Sequence, residues 1–546
     1  MRNNKTKAGA FTLAAIMALT AGLSACSSAD SIAVDEENFP DQVFREYVSE
    51  NFDANHNGLL TAKEIDAVTQ LNVSNKGLAS LQGLEFFSGL TELVCANNIL
   101  SALDVSGNSA LLRLDCANNL LATVNVSNNG ELIALDCTEN RLTSLDVSKC
   151  LSLSELSCAD NMLTALDFSA NSGLTKLICA NNQLSALNVG KCAELTELDC
   201  ANNKLTALDI SKCVNLTSLA CWLNQLTSLD VSHNIKLEFL GCIANQLTAL
   251  DVKNNNKLLE LDCSSNQLTQ LDVSRCVDLT RLECWGNLLL ALDVRNNANL
   301  VALSCYVNQL KELDLNNNIK LTSLICYENQ LTALNISKNT QLEILNCNDN
   351  QLTSLDTNNN TGLEILNCYI NQLESLDFSK NINLTRLICY DNKLAALDIS
   401  KNSRLELLMC NDNQLTELDV SNNINLERLM CYNNQLTGLE VSGIAGLLHL
   451  NCSNNRLAAL DISKNYQLQE LYCSANQLDY LDVSANTQLI MLGCGVNQLT
   501  ELDIRNNRDL QDLYCSANQL TELDVNNNNN LSRLEYDENK VTLIKD

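Results

Sequence analysis

A 21-residue repeat governs almost the whole chain. From Leu90 onward the same pattern recurs without insertion, and its cysteine runs from Cys95 to Cys515 before Tyr536 takes the next place. Counting from the cysteine as position 0, leucine stands at −5 and −2, asparagine at +3 and leucine at +5, where Val541 is the one exception. Such a period overrides the several domains expected from 546 residues. It predicts a solenoid in which each unit buries its apolar side chains against its neighbours.

The consensus of the repeat is LxxLxCxxNxL, as in LTSLICYENQL at residues 321–331. It resembles the leucine-rich repeat family, whose signature LxxLxLxxNxL differs at the cysteine. The resemblance covers roughly residues 70–546 and implies a right-handed leucine-rich repeat solenoid with parallel strands on its concave face. The rest of each unit, as in LTSLDVSHN at 226–234, alternates apolar and polar residues and is too short for a helix. Extended segments and turns are therefore predicted on the convex face. The solenoid is assigned to residues 69–546, about 22 units including a degenerate C-terminal cap.

The 26 cysteines suggest packing rather than disulfides. In-register Cβ atoms on parallel strands lie about 4.8 Å apart, whereas a disulfide needs about 3.8 Å and converging bonds. The column at position 0 is therefore predicted to be a ladder of buried thiols. This pattern resembles the internalin J-type repeats of Gram-positive surface proteins. Cys150, Cys192, Cys213 and Cys276 stand at +13, and the adjacent Cys192 and Cys213 leave a disulfide open.

The N-terminus has the order of an export signal. Basic residues precede an apolar run over residues 8–23, which ends in LSAC at 23–26. This tetrapeptide resembles the lipobox of bacterial lipoproteins, which implies a signal peptide at 1–25 and lipidation of Cys26; an ordinary signal peptide is the alternative. Residues 26–38 are predicted to be a flexible tether. The expected location is the outer side of a bacterial cell membrane, at the cell surface.

Residues 39–68 break the repeat and are predicted to form a helical N-terminal cap. The stretch DANHNGLLTAKE, residues 53–64, matches the EF-hand calcium loop, with a glycine at its sixth position. The alternative is a helix-loop-helix without the ion. Only two formal charges face the ion, so we expect a structural calcium bound weakly, about 10⁻⁴ to 10⁻³ M. The predicted ligands are Asp53, Asn55, Asn57, Leu59 through its carbonyl, Thr61 and Glu64.

The overall charge and the scarcity of catalytic groups exclude several functions. A formal net charge of −30 disfavours nucleic acid, which requires basic surface. Three scattered histidines, no CxxC pair and no phosphate-binding glycine loop indicate a chain that is not an enzyme. We expect a monomer that contacts the membrane only through its N-terminal lipid.

The residue after each cysteine, position +1, changes character along the repeats. Early repeats carry mostly alanine there, the middle ones carry both tryptophans and five of the eleven tyrosines, and the last ones carry serine or glycine. Positions −3, −1 and +1 face the solvent side of the strands. Exposed aromatic and apolar residues with arginine are typical of binding surfaces. The predicted ligand-binding residues are Trp222, Phe239, Trp285, Tyr306, Tyr327, Tyr369, Tyr390, Met409, Met430 and Tyr432.

These patterns predict a non-enzymatic protein with a binding surface on its strand face. The resemblance to internalin-type repeats implies an adhesin-like surface protein that recognises a protein or glycan ligand there. One alternative is a lipoprotein that captures polysaccharide, because aromatic platforms also stack on sugars. Another is a spacer without a specific ligand, in which cross-strand stacking of the rings merely stiffens the sheet.

Overall fold

The computed structural model describes residues 31–545. The predicted signal peptide, the lipobox and Cys26 lie outside the described residues. Within the described range no helix is both long enough and apolar enough to cross a bilayer.

The described chain contains two α-helices, one 3₁₀ helix and a long series of short strands. The helices are α1 (Gln42–Asn51), α2 (Ala62–Asp66) and the 3₁₀ helix (Leu84–Phe86). The strands are β1 (Ile32–Ala33), β2 (Leu59–Leu60), β3 (Gln70–Asn72), β4 (Glu92–Val94), β5 (Leu103–Asp104), β6 (Arg113–Asp115), β7 (Val124–Asn125), β8 (Ala134–Asp136), β9 (Glu155–Ser157), β10 (Lys176–Ile178), β11 (Glu197–Asp199), β12 (Ser218–Ala220), β13 (Phe239–Gly241), β14 (Glu260–Asp262), β15 (Arg281–Glu283), β16 (Ala302–Ser304), β17 (Ser323–Ile325), β18 (Ile344–Asn346), β19 (Ile365–Asn367), β20 (Arg386–Ile388), β21 (Leu407–Met409), β22 (Arg428–Met430), β23 (His449–Asn451), β24 (Glu470–Tyr472), β25 (Met491–Gly493), β26 (Asp512–Tyr514), β27 (Glu522–Asp524), β28 (Arg533–Glu535) and β29 (Thr542–Ile544).

One parallel sheet runs the length of the solenoid. It contains β3, β4, β6, β8 through β26 and β28, each strand hydrogen-bonded to the next repeat's strand in register, as Leu324 with Leu345. On the opposite side β5 pairs with β7 and β27 with β29 in short parallel pairs, Asn188 forms a single parallel bridge with Asp209, and the remaining described segments there are mostly turns. The predicted leucine-rich repeat solenoid is confirmed.

The core is one continuous apolar column built from equivalent residues. In a central repeat Leu321, Leu324, Cys326, Leu331 and Leu334 are all buried. Each fully buried leucine contributes about 1.5–3 kcal/mol relative to an exposed one. A single 21-residue unit could not bury these side chains alone, so stability depends on stacking.

The cysteine ladder lies inside this core. All 25 cysteines between residues 31 and 545 are free and buried. Burial raises the pKa of Cys305 to about 12, and burial together with the neighbouring thiols raises the pKa of Cys326 well above its ordinary value. Because only the thiolate is a strong nucleophile, these side chains are inert in the folded chain.

This burial predicts the outcome of thiol labelling. Iodoacetamide should leave all the described cysteines unmodified in the native chain, and intact-mass analysis should find all 25 modified after denaturation in guanidinium. Rapid native modification of Cys326, identified by peptide mapping, would contradict a closed core.

The four cysteines at +13 replace buried asparagines on the convex side. Where asparagine is present, as in Asn297, its Nδ2 donates to the carbonyls of Val273 (3.0 Å) and Cys276 (2.7 Å) of the preceding repeat. Cys213 Sγ points to the equivalent Val189 carbonyl at 3.5 Å. Cys192 and Cys213 are both free, so the disulfide left open by their adjacency is not formed here.

Two polar columns satisfy the backbone at the turns. The +3 asparagines bond main-chain groups of their own and the preceding repeat; Asn350 Nδ2 donates to the carbonyls of Cys326 and Cys347. The +9 aspartates accept the N–H two residues on, as Asp230 Oδ1 does from Ser232 at 2.9 Å. Hydrogen bonds with Ser232 lower the pKa of Asp230. The +9 aspartates therefore have a structural role in the turns.

The N-terminal cap is larger than predicted. Residues 32–38 were assigned to a flexible tether, but β1 pairs antiparallel with β2, and Ile32 and Val34 pack on the core. The tether prediction is wrong for this segment, because these two apolar side chains gain by burial. Residues 26–30 lie outside the described chain.

The cap is joined to the first repeats by aromatic packing and one carboxylate. The Phe39 ring contacts the rings of Phe44 and Phe86, with centroids 5.8 and 5.7 Å away. A Cβ at Gly83, whose φ is 101°, would overlap the Phe39 ring, so only glycine fits there. Asp41 caps α1 and also accepts the backbone N–H of Ala79 at 2.9 Å. The cap therefore covers the first turn of the solenoid.

Candidate binding face

On the strand face, side chains from equivalent positions of successive repeats lie side by side and face the solvent. In the central repeat Leu324 and Cys326 point inward and are fully buried, whereas Ser323, Ile325 and Tyr327 are partly exposed. The alternation follows from the pleat of the strand and its extension past position 0. Residues at −3, −1 and +1 of the strand are thus open to a ligand on this face.

Three consecutive rings form a stack along the +1 column. Trp285 and Tyr306 are nearly parallel with centroids 5.0 Å apart, and Tyr306 stacks on Tyr327 at 4.4 Å. Burial, together with the adjacent Tyr327 phenol, raises the pKa of Tyr306 to about 12. The phenols therefore remain neutral at physiological pH, and the rings cover each other's faces.

A second stack follows after a gap of one repeat. Tyr369 and Tyr390 lie 4.4 Å apart with an interplanar angle of 14°. Asn348 separates this pair from the first stack, and Asn411 separates it from Tyr432; both asparagines are buried. The column is thus a broken row of half-buried rings.

Trp222 and Phe239 form a separate patch upstream. A Cβ on Gly241 would approach the Trp222 ring to 2.9 Å and the Phe239 ring to 3.1 Å, so both rings lie over this glycine. Trp222 also packs against the buried alanines of the preceding repeats, including Ala201. Phe239 belongs to the repeat of Ile243, so the repeat of Ser264 lies between this patch and Trp285. The structure therefore does not bring all ten predicted residues into one cluster.

Met409 and Met430 are register partners on β21 and β22 and are partly exposed. Beside them is a shallow groove of about 460 Å³. Its lining combines aliphatic, basic and acidic side chains. The residues are Ile365, Thr385, Arg386, Glu406, Leu407, Glu427, Arg428, Leu448 and His449.

Charged residues of this face differ in their pairing. Arg281 forms an ion pair with Glu283 at 2.9 Å. Burial raises the pKa of the Glu283 carboxyl, although Ser304 and Arg281 oppose the effect. Within residues 31–545, no carboxylate oxygen lies within 4.0 Å of the guanidinium of Arg386 or Arg428. We call the ten predicted residues and these two arginines the aromatic band.

Position +2 presents exposed apolar residues that sequence reasoning missed. Leu223, Val307 and Ile370 are exposed apolar residues, and each directly follows an aromatic residue of the band. All three have positive φ, between 50° and 53°. The available signal was their departure from the asparagine and aspartate that are frequent in this column.

The cap loop, residues 53–64, is held by hydrogen bonds of the carboxylates at its two ends. Asp53 is 1 % exposed, and its two oxygens accept the N–H groups of Asn57 (3.2 Å) and Gly58 (2.8 Å). Glu64 folds over the loop and accepts from Ala54 N–H at 3.0 Å. Hydrogen bonds from Thr61 lower the pKa of the Glu64 carboxyl. Both carboxylates are therefore held in place at the two ends of the loop.

The donor set fits calcium, which binds carboxylate, amide, hydroxyl and carbonyl oxygens. Gly58 has a φ of 79°, as the sharp turn at the sixth loop position requires. In the described part of the chain, no three His, Cys, Asp or Glu side chains share a possible metal position. A cation here would depend on Asp53 and Glu64 together with the neutral oxygens of Asn55, Asn57 and Leu59.

Comparison with known proteins agrees with this architecture. No family model matches the chain. The functional domain of InlJ from Listeria monocytogenes, which includes a cysteine ladder, is 36% identical with a TM-score of 0.61, and the match covers 65% of this chain and 79% of that domain. The chain belongs to the cysteine-ladder leucine-rich repeat proteins. The chain thus shares its column of buried thiols with the InlJ domain.

Two further matches show how far the likeness extends. Internalin J of Listeria monocytogenes serotype 4b is 39% identical over 71 residues, which span 13% of this chain and 8% of that protein. The chain thus matches less than a tenth of that relative's length. The Arabidopsis receptor kinase HAESA, solved with the peptide hormone IDA and the co-receptor SERK1, is 21% identical over 88% of this cysteine-ladder chain and 91% of its own, with a TM-score of 0.69. At that identity the likeness shows the fold alone.

Proposed function

We propose that this chain is a non-enzymatic, adhesin-like binding protein that recognises a protein ligand through the aromatic band. The observation that carries the proposal is the placement of half-buried rings, methionines and arginines on one face of a rigid solenoid. Aromatic residues, methionine and arginine are the types enriched at protein interfaces.

The ring geometry favours protein over glycan. A sugar ring packs on the open face of an aromatic side chain, but Tyr306 has Trp285 on one side and Tyr327 on the other. The stack therefore offers ring edges and neutral hydroxyls, which suit the side chains and amides of a polypeptide. A polysaccharide could pack only on the outermost ring faces at the two ends of each stack.

The free arginines support a ligand that carries carboxylates. Arg386 and Arg428 stand two repeats apart in a strongly acidic chain, with the aliphatic Leu407 between them. An arginine without an intramolecular partner can bind a carboxylate through two parallel hydrogen bonds. Glu406 and Glu427 at the groove edge would repel a uniformly acidic ligand, which favours one that mixes apolar and charged residues.

The test is a ligand screen with the full chain. The protein is probed on arrays of host and bacterial proteins and of soluble glycans, and each hit is measured by biolayer interferometry. Specific protein hits support the proposal. Hits confined to glycans favour polysaccharide capture, and a chain that binds neither class would be a spacer.

We also propose export and lipid anchoring through Cys26, supported by the order of basic residues, apolar run and LSAC. Labelled palmitate should enter the wild-type chain in bacteria but not a Cys26→Ala variant, which should move from the membrane to the soluble fraction. Equal fractionation of both forms would contradict the anchor.

We further propose that the cap loop binds calcium in a structural role. The support is the buried Asp53 and the Glu64 carboxylate fixed opposite it. Calcium would add bonds between the two ends of the loop and thereby stabilise the cap over the first repeat.

Calorimetry should therefore detect calcium with a Kd of about 10⁻⁴ to 10⁻³ M, and a chelator should lower Tm. Glu64→Gln should abolish the heat, whereas Glu50→Gln, an exposed acid of α1, should leave it unchanged. No heat, together with a Tm indifferent to chelator, would contradict the proposal.

A further inference from the structure

The +2 column adopts the same unusual backbone in nearly every repeat. Position +2 has φ near 50° from Asn97 to Ala517, and Gly286 at φ 63° is the single glycine. Its N–H donates to the +1 carbonyl of the next repeat, as Val307 does to Tyr327 at 3.0 Å. These cross-repeat bonds hold the left-handed conformation whatever side chain is present.

Most residues of this column tolerate that conformation. Asparagine and aspartate visit the left-handed region readily, whereas β-branched residues there are outliers with backbone strain. Val307 and Ile370 have φ of 52° and 50°, and each is 38% exposed. The strain is therefore not compensated by complete burial of an apolar side chain.

The strained apolar residues coincide with the aromatic band. Leu223 follows Trp222, Val307 follows Tyr306 and Ile370 follows Tyr369. Strain that persists beside a binding surface is an indication of function. Val496, φ 55° and 57% exposed, has the same geometry but follows Gly495, outside the band. It therefore provides a matched comparison.

We propose that Val307 and Ile370 are specificity-determining contacts that extend the aromatic band and take apolar side chains of an extended peptide segment in a partner protein. This proposal rests on the proposed function and deepens it. Val307 and Ile370 favour a polypeptide ligand, because aliphatic side chains beside ring edges pack better against apolar amino acids than against hydroxylated sugars.

The spacing defines the peptide. Val307 and Ile370 are three repeats apart, about 14 Å at the usual spacing between strands, which an extended chain spans in about four residues. Arg386 is one repeat beyond Ile370. Arg386 is at position −3, however, and therefore lies to one side of the line through Val307 and Ile370. A peptide running along the solenoid would thus place two apolar residues four positions apart on Val307 and Ile370.

The test uses a phage-displayed library of random 12-residue peptides, selected on the full wild-type chain. Enriched peptides are synthesised and measured against the double variant Val307→Asn/Ile370→Asn and the control Val496→Asn. Asparagine is the column's own frequent residue, as at Asn433, so both variants should fold. Tm is measured for each.

We expect enriched peptides with apolar residues at i and i+4. Both variants should have a Tm at or above that of the wild type because strain is relieved. The double variant should lose at least tenfold in affinity, and Val496→Asn should bind as wild type. Unchanged peptide binding by the double variant, equal loss in the control, or a fall in Tm of both variants would overturn the proposal.

The outcomes separate this proposal from the proposed function. Some peptides could lose affinity for the Trp285→Ala/Tyr306→Ala/Tyr327→Ala variant and still bind the double variant as they bind the wild type. That result would support binding at the aromatic band and would show that Val307 and Ile370 have no part in it. If no peptide is enriched and only glycans bind, both proposals fail.

Discussion

Replacing Asn350 by alanine is expected to lower the free energy of unfolding by about 2–5 kcal/mol, because several buried backbone groups lose their partners. Its Nδ2 donates to the carbonyls of Cys326 (3.1 Å) and Cys347 (3.2 Å), and its Oδ1 accepts the Leu331 N–H at 2.9 Å. The side chain thus bonds two adjacent repeats. Alanine offers neither a donor nor an acceptor.

The measurement combines urea unfolding with hydrogen exchange, since a long solenoid can open locally. We expect a lower urea midpoint and faster exchange around residues 326–350. Asn359→Ala is the control, because Asn359 is exposed in the same repeat. Equal stability of the two variants would show that the asparagine column does not hold the repeats together.

Replacing Trp285, Tyr306 and Tyr327 together by alanine is expected to reduce affinity for the protein ligand by roughly 100-fold or more, since central aromatic residues dominate interfaces. The fold should persist, because the rings are only half-buried and each stacking pair contributes about 0.5–1.5 kcal/mol. Binding is measured by biolayer interferometry and folding by circular dichroism.

Tyrosines elsewhere on the surface supply the control for this variant. Tyr466 and Tyr480 are 57% and 58% exposed and lie outside the strand face. Tyr466→Ala/Tyr480→Ala should bind as wild type. A triple variant that loses solenoid stability but keeps its ligand would assign the rings to stiffening of the sheet.

The repeat made the solenoid predictable because each position has one physical role. Leucine at −2 and cysteine at 0 must point inward for neighbouring repeats to stack, so register and burial followed from spacing. The asparagine and aspartate columns were also predictable from their turn chemistry. The tether at residues 32–38 was misassigned because the apolar Ile32 and Val34 stand in a polar stretch, and their partners are distant in sequence.

For the binding face, the sequence predicted which residues share a column but not how their rings are arranged. Sequence spacing placed Trp222, Trp285 and Tyr390 on one face, but it could not show that the rings stack in separate groups. Stacking depends on side-chain rotamers and on the size of the residue between them, such as Asn348. The apolar +2 residues were missed because alternation does not reveal a positive φ.

Hydroxyl-radical footprinting of the chain with and without its bound protein ligand tests the binding face most directly, because tryptophan, tyrosine and methionine are the side chains it reads. We predict protection of Trp285, Tyr390, Met409 and Met430, with Tyr466 unchanged. Protection confined to Tyr466 and Tyr480, with the rings and methionines of the band oxidised as in the free chain, would contradict binding at the strand face.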